Sequence, residues 1–203
     1  MTASNETRKE FSQLQKGFSL PELVIALLVV AIILVLALPH IISSRRLSRF
    51  SGLQRQVVAS LRDTHQEAMS QRKPITFRYQ NNKKQIIIYG GSFGAYGDQK
   101  NIVHEMADSG LEKNDIKYGR PSGVSNLALE DGTNLTALSD NIVEITFQPD
   151  GSVVDASNNP QNNALFFYHA KHRKETAFAV SILGAGGRAK LWRYSKGVNQ
   201  YVE

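Results

Sequence analysis

From Leu23 to Leu38 the sequence is an unbroken run of Leu, Val, Ile and Ala, and no Asp, Glu, Lys or Arg follows until Arg45. At 1.5 Å of rise per residue, about 20 helical residues span the roughly 30 Å hydrocarbon core of a bilayer, so this segment is long enough to cross one. Arg8, Lys9 and Lys16 precede it. By the positive-inside tendency they keep the amino-terminal tail in the cytoplasm and send the remainder across. Arg45, Arg46 and Arg49 on the far side run against that tendency, although side chains of this length can snorkel to the headgroups. An ordinary secretory signal does not fit, because its apolar region is about 7 to 15 residues and ends in a small-residue cleavage site, which Ala37-Leu38-Pro39 is not. By apolar length alone, an uncleaved signal anchor remains open.

With 203 residues the chain has room for one globular domain and an extension. It contains no cysteine, which removes disulfides, thiolate metal sites and a cysteine nucleophile, so an exported domain must hold together by packing. The net charge of +6 is unevenly placed. Residues 45–73 carry +5, residues 74–170 carry −4 and residues 171–203 carry +5.

Pro39 lacks a backbone donor and is expected to kink the helix near the outer membrane face. Beyond it, Leu47, Phe50, Leu53, Val57, Val58, Leu61 and Ala68 recur at spacings of three and four, which predicts an amphipathic helix over 45–73 that stops near Arg72, ahead of Pro74. The period then changes to two. Ile75, Phe77 and Tyr79 alternate with Thr76 and Arg78, and Gln85 to Tyr89 reads as the hairpin partner. Gly90, Gly91, Gly94 and Gly97 open a loop with polar linking sequence expected to about Asp140. Strands follow at Val143 to Phe147, Ala164 to His169, Thr176 to Leu183 and Arg188 to Tyr194, with a turn at Pro149-Asp150-Gly151. The expected fold class is α+β: a long amino-terminal helix, partly transmembrane, packed on an antiparallel β-sheet or β-sandwich head over 74–203.

The residues at the upstream edge of the apolar run carry the most information. Glu22 stands there, and a carboxylate costs about 2.5 to 3.5 kcal/mol at the bilayer centre on insertion scales, so it needs a partner or a reason. Lys16-Gly17-Phe18-Ser19-Leu20-Pro21-Glu22-Leu23 resembles the type IV prepilin signal: a basic leader ending in Gly, an aromatic residue, and a Glu four residues on, all before the apolar run. The resemblance implies cleavage between Gly17 and Phe18 by a prepilin peptidase, N-methylation of Phe18 by the same enzyme, and a leader over 1–17. It also implies pairing of the new α-amino group of Phe18 with Glu22 of the same or a neighbouring subunit, where low dielectric strengthens the attraction. With Ile145-Thr146-Phe147-Gln148-Pro149-Asp150-Gly151 and a late Gly187-Arg188-Ala189-Lys190, the order of parts is similar to the GspH/FimT family of minor pseudopilins and type IV minor pilins. That resemblance implies a single-pass inner-membrane protein with a periplasmic head, built into a pilus or pseudopilus beside other pilins.

Catalysis needs convergent titratable groups. His40, His65, His104, His169 and His172 are scattered, and His169 and His172, three apart in an expected strand, should face opposite ways and lie at the surface. Gly184-Ala185-Gly186-Gly187 lacks the Lys-Ser/Thr ending of a phosphate-binding loop and reads as a strand connection, while Glu130, Asp131 and Asp140 do not form a calcium loop. No enzyme, cofactor or metal is expected. Arg188, Lys190, Trp192 and Arg193, with Lys171, Arg173 and Lys174 upstream, have the composition of a surface that meets phosphates and stacks on bases. Relatives that serve in transformation bind DNA through Gly-Arg-x-Arg; here the last place is Lys190, which keeps the charge and loses the guanidinium fork. A strand edge blunted by Lys and Arg accounts for the same residues and is the favoured account. The expected function is therefore a minor pilin or minor pseudopilin of a type IV pilus or type II secretion system, assembling near the fibre tip. The alternatives are a DNA-binding competence pilin and an uncleaved signal-anchored periplasmic β-domain.

Overall fold

A computed structural model describes residues 18–92, 102–106, 111–125, 127 and 136–203, and divides the chain into residues 1–45 and a unit Arg46–Glu203. Helix α1 is assigned over Leu20–Gln71. Within the first unit its apolar positions are uncovered: Leu20 is 79% exposed, Val35 71%, and every large apolar residue between them at least 49%. Hydrophobic on all sides and buried on none, this part of α1 lacks the polar face that lets a helix rest on a soluble core. Pro39 falls within the helical span, and its side chain lies outside the described residues.

In the second unit α1 becomes one-sided. Phe50, Leu53, Val57, Val58, Leu61 and Ala68 are buried as the spacing predicts, whereas Leu47 is 37% exposed. The helix ends at Gln71, where Arg72 takes a left-handed φ of 50° and Pro74 follows before the first strand.

Two five-stranded antiparallel sheets pack with this part of α1. The first contains β1 (Ile75–Gln80), β2 (Gln85–Gly90), β3 (Ile102–Glu105), β5 (Ile142–Phe147) and β6 (Val153–Val154), in the order β3-β2-β1-β5-β6. The second contains β4 (Ile116–Tyr118), β7 (Asn163–His169), β8 (Phe178–Ile182), β9 (Ala189–Ser195) and β10 (Gln200–Val202), in the order β10-β9-β8-β7-β4. Alternation selects the core. Phe77, Ile88 and Ile145 from the first sheet and Phe167, Val180 and Ile182 from the second join the α1 residues in one cluster. The outer face of the second sheet has its own layer, with Phe166, Tyr194 and Tyr201 covered by Val124 and Leu127.

The ring contacts of α1 fix its direction in this unit. Phe50 lies 5.9 Å from His169 and 5.7 Å from Phe178, near the β7–β8 turn, whereas His65 lies 5.5 Å from Phe147 at the far end of β5. Strand β1 returns antiparallel to this path, since Gly91 N–H donates to Pro74 O at the helix's end. The helix's beginning therefore shares one end of the unit with the β1–β2, β7–β8 and β9–β10 turns. The opposite end gathers its last turn with the β5–β6 and β8–β9 connections.

Four expectations require correction. Residues 90–140 are not all linking sequence, because β3 and β4 each extend a sheet by pairing with β2 and β7. The short strands β6 and β10 lie outside the expected set. His169 and His172 do not occupy opposite faces of one strand: β7 ends at His169, His172 lies in the turn that follows, and their rings are 5.3 Å apart. Nor is His169 at the surface. It is 1% exposed, its Nδ1 accepting from Lys171 N–H at 3.1 Å and its Nε2 3.6 Å from Asp115 Oδ2.

Candidate functional site at the amino-terminal edge

Leu23 N–H donates to Ser19 O at 3.1 Å, which makes Ser19 the N-cap and Leu20, Pro21 and Glu22 the first three helical residues. Each choice has a local reason. The first N–H groups of a helix have no intrahelical acceptor, so Pro21 removes a donor that is unpaired in any case. Glu22 brings a carboxylate to the positive end of the helix dipole. The order Ser19-x-x-Glu22 is that of a capping box, a spacing legible in the sequence but missed by a reading that attended only to cleavage and charge. Phe18, one residue ahead of the cap, is 77% exposed. Gly17 lies outside the described residues. From Leu20 to Ala37 the helix is apolar and long enough to cross a membrane, with a mean hydropathy of 3.0.

This edge coincides with a family match. Residues 13–38 match the prokaryotic N-terminal methylation motif. The amino terminus carries this motif. The match spans the Gly17–Phe18 junction, Glu22 and the apolar run together. No curated protein matches the chain. Two crystal structures of the type IV minor pilin FimU from Pseudomonas aeruginosa (strain PAO1) resemble it at 16% identity. One aligns over 71% of this chain and 88% of its own with a TM-score of 0.48, the other over 70% and 90% with 0.45.

The carboxy-terminal residues considered for nucleic acid do not all share one surface. Along β9, Ala189 joins the main core and Leu191 packs against it, and Arg193 Nε donates to Gln54 Oε1 of α1 at 3.2 Å. Trp192 lies on the other face against the outer aromatic layer, its Nε1–H donating to Ser181 Oγ at 2.8 Å. Lys190 Nζ lies 4.4 Å above the Trp192 ring and 2.6 Å from Glu203 Oε2, so the indole face and the ammonium are both engaged. Arg188, Lys190 and Arg193 line an open depression of about 300 Å³ with Glu203 and with Arg62, which comes from α1 and which sequence separation concealed. Lys171, Arg173 and Lys174 stand at the opposite end of the second sheet from Arg188, because the β7–β8 and β8–β9 connections close opposite ends. Among the described residues no group of three His, Cys, Asp or Glu is arranged to hold a metal ion.

Proposed function

We propose that this chain is a minor pilin or minor pseudopilin. It is cleaved between Gly17 and Phe18 by a prepilin peptidase, N-methylated on Phe18, and held by a single helix in the bacterial inner membrane with Arg46–Glu203 in the periplasm. From there it enters the tip region of a type IV pilus or of a type II secretion pseudopilus, beside other pilins or pseudopilins. Its role is structural and not enzymatic. The observation that carries this reading is the methylation motif at residues 13–38 on a helix whose apolar surface is uncovered on every side. Such a helix must exchange lipid for neighbouring helices when a fibre forms, and a carboxylate in its first turn needs a cation to make the same transfer. The Phe18 α-amino group freed by cleavage is the nearest one in the chain.

Mass analysis of the membrane-extracted protein tests the processing: the mature chain should begin at N-methylated Phe18, and a chain still beginning at Met1 defeats the reading. Glu22→Ala should leave cleavage and insertion intact and lower incorporation into the fibre at least tenfold. Normal assembly of that variant would reduce Glu22 to a helix-capping residue. Pro39 is proposed as a kink that sets the path of the stem near the outer membrane face, and Pro39→Ala should alter assembly without altering cleavage.

A further inference from the structure

The charges of the Arg46–Glu203 unit are polarised along α1. The end where the helix begins has Arg49 on α1, Lys83 and Lys84 in the β1–β2 turn, Lys171, Arg173 and Lys174 in the β7–β8 turn, and Lys196 after β9. Lys113 and Lys117 flank the start of β4 beside them. Facing these are Glu105, Glu112, Asp115, Asp140 and Glu175, several of them already occupied: Glu105 by Gln85 and Lys113, Asp115 by His169, Glu175 by Lys196. The opposite end is balanced, with Arg62, Arg72, Lys73, Arg188 and Lys190 against Asp63, Glu67, Asp150, Asp155 and Glu203. Among the described residues the excess positive charge therefore lies at one end, on turns from both sheets.

We propose that this end is a docking surface for the anionic phospholipid headgroups of the membrane that the apolar helix crosses. The inference rests on the membrane-anchored reading of that helix. Arg49 follows Ala37, the last residue of the apolar window, by twelve positions. That is about 18 Å if helical and at most about 42 Å if extended. Whatever the mutual orientation of the two units, covalent attachment keeps the basic turns near the headgroups, so a weak surface suffices because its ligand is never dilute. A juxtamembrane Lys or Arg contributes about 1 kcal/mol, or roughly fivefold, at an anionic bilayer surface. Lys83, Lys171 and Lys174 are exposed and positioned for it. Arg49, one of the arginines that run against the positive-inside tendency, gains a role as part of the same contact. A duplex fits less well, since Glu112, Asp115 and Glu175 interrupt any continuous track for a phosphate backbone.

The test uses the full chain in nanodiscs of phosphatidylcholine, with or without phosphatidylglycerol, and nitroxide-headgroup lipids as quenchers. The native chain has no cysteine, so a single fluorophore can be placed at Val198→Cys in the β9–β10 turn or at Ala185→Cys in the β8–β9 connection. Val198→Cys should be quenched strongly only when phosphatidylglycerol is present, and Ala185→Cys in neither lipid. Combining Lys83→Gln, Lys171→Gln and Lys174→Gln should lower the docked-to-undocked ratio by on the order of tenfold to a hundredfold. Lys73→Gln with Arg188→Gln should leave it unchanged. Equal quenching in both lipids, or no response to the triple substitution, overturns the proposal while leaving the anchor intact. Failure to enter nanodiscs of either composition would instead remove the anchor itself. Tight binding of duplex DNA that the same three substitutions abolish, without any lipid dependence, would assign the surface to nucleic acid and end the proposal.

Discussion

Lys84 closes the β1–β2 turn at a φ of 54°, and its Nζ donates to Asn81 Oδ1 at 2.5 Å. Burial first, and the nearby Lys117 second, push its pKa down to about 8. The unfolded chain keeps this proton to about pH 10.5, so between pH 8 and 10.5 it binds more protons than the folded chain, and stability rises with pH across that window. Lys84→Asn, which tolerates the left-handed conformation, should flatten the rise. It should also stabilise the protein by about 1 kcal/mol at pH 7, a figure already discounted for solvent screening; denaturant titrations at pH 7 and pH 10 measure both. Gly187 presents the opposite case. At φ 59° its added Cβ would stand 2.3 Å from Gly151 O, with His65 of α1 behind it. Gly187→Ala should therefore cost on the order of 3 kcal/mol, read as a lowered urea midpoint with an unchanged slope.

The outer half of α1 is the element on which both sheets converge, and Leu61 on its inner face is fully buried. Leu61→Ala should cost about 2 to 5 kcal/mol by urea unfolding, whereas Arg55→Ala on the exposed face should change stability by no more than about 0.5 kcal/mol. The sequence made this helix legible through its spacing, and β1, β2, β5, β7, β8 and β9 through alternation bounded by turns. It left β3, β4, β6 and β10 obscure because strands of two to four residues are too short to show a period and are held by a partner's edge. The outer face of the first sheet misled for another reason. Thr76 and Glu144 look like solvent positions, yet Thr76 Oγ1 meets Thr146 Oγ1 at 2.8 Å, and Glu144 Oε1 accepts from Arg78 Nη1 and Tyr89 O–H at 2.9 Å each. Polar side chains that satisfy one another can be buried, and composition alone does not reveal the pairing. The methylation motif at the amino-terminal edge was readable because its residues fall within one short window, although the N-cap position of Ser19 was not read. The basic carboxy-terminal set was not, since proximity along the chain said nothing about which face or which end of the sheet each residue would reach.

As a whole, Arg46–Glu203 contains its own core, with cluster members from Phe50 to Ala189, and has no cysteine to oxidise. Residues 46–203 expressed alone should unfold in one cooperative transition that is indifferent to reductant, with fluorescence and circular dichroism giving the same midpoint. Separate midpoints would mean that the two sheets are independent. The strand order sets when that unit can form. The second sheet is assembled largely from successive hairpins, β7 to β10, whereas β1 must wait for β5, with Ile75 pairing Phe147 across about seventy residues. If the amino-terminal helix is anchored first and the remainder is threaded across the membrane in order, the β1–β2 hairpin reaches the far side long before its neighbour. In that interval β1 exposes an unpaired backbone edge and Phe77 and Tyr79 are uncovered, which leaves the newly translocated chain open to aggregation and proteolysis until β5 arrives.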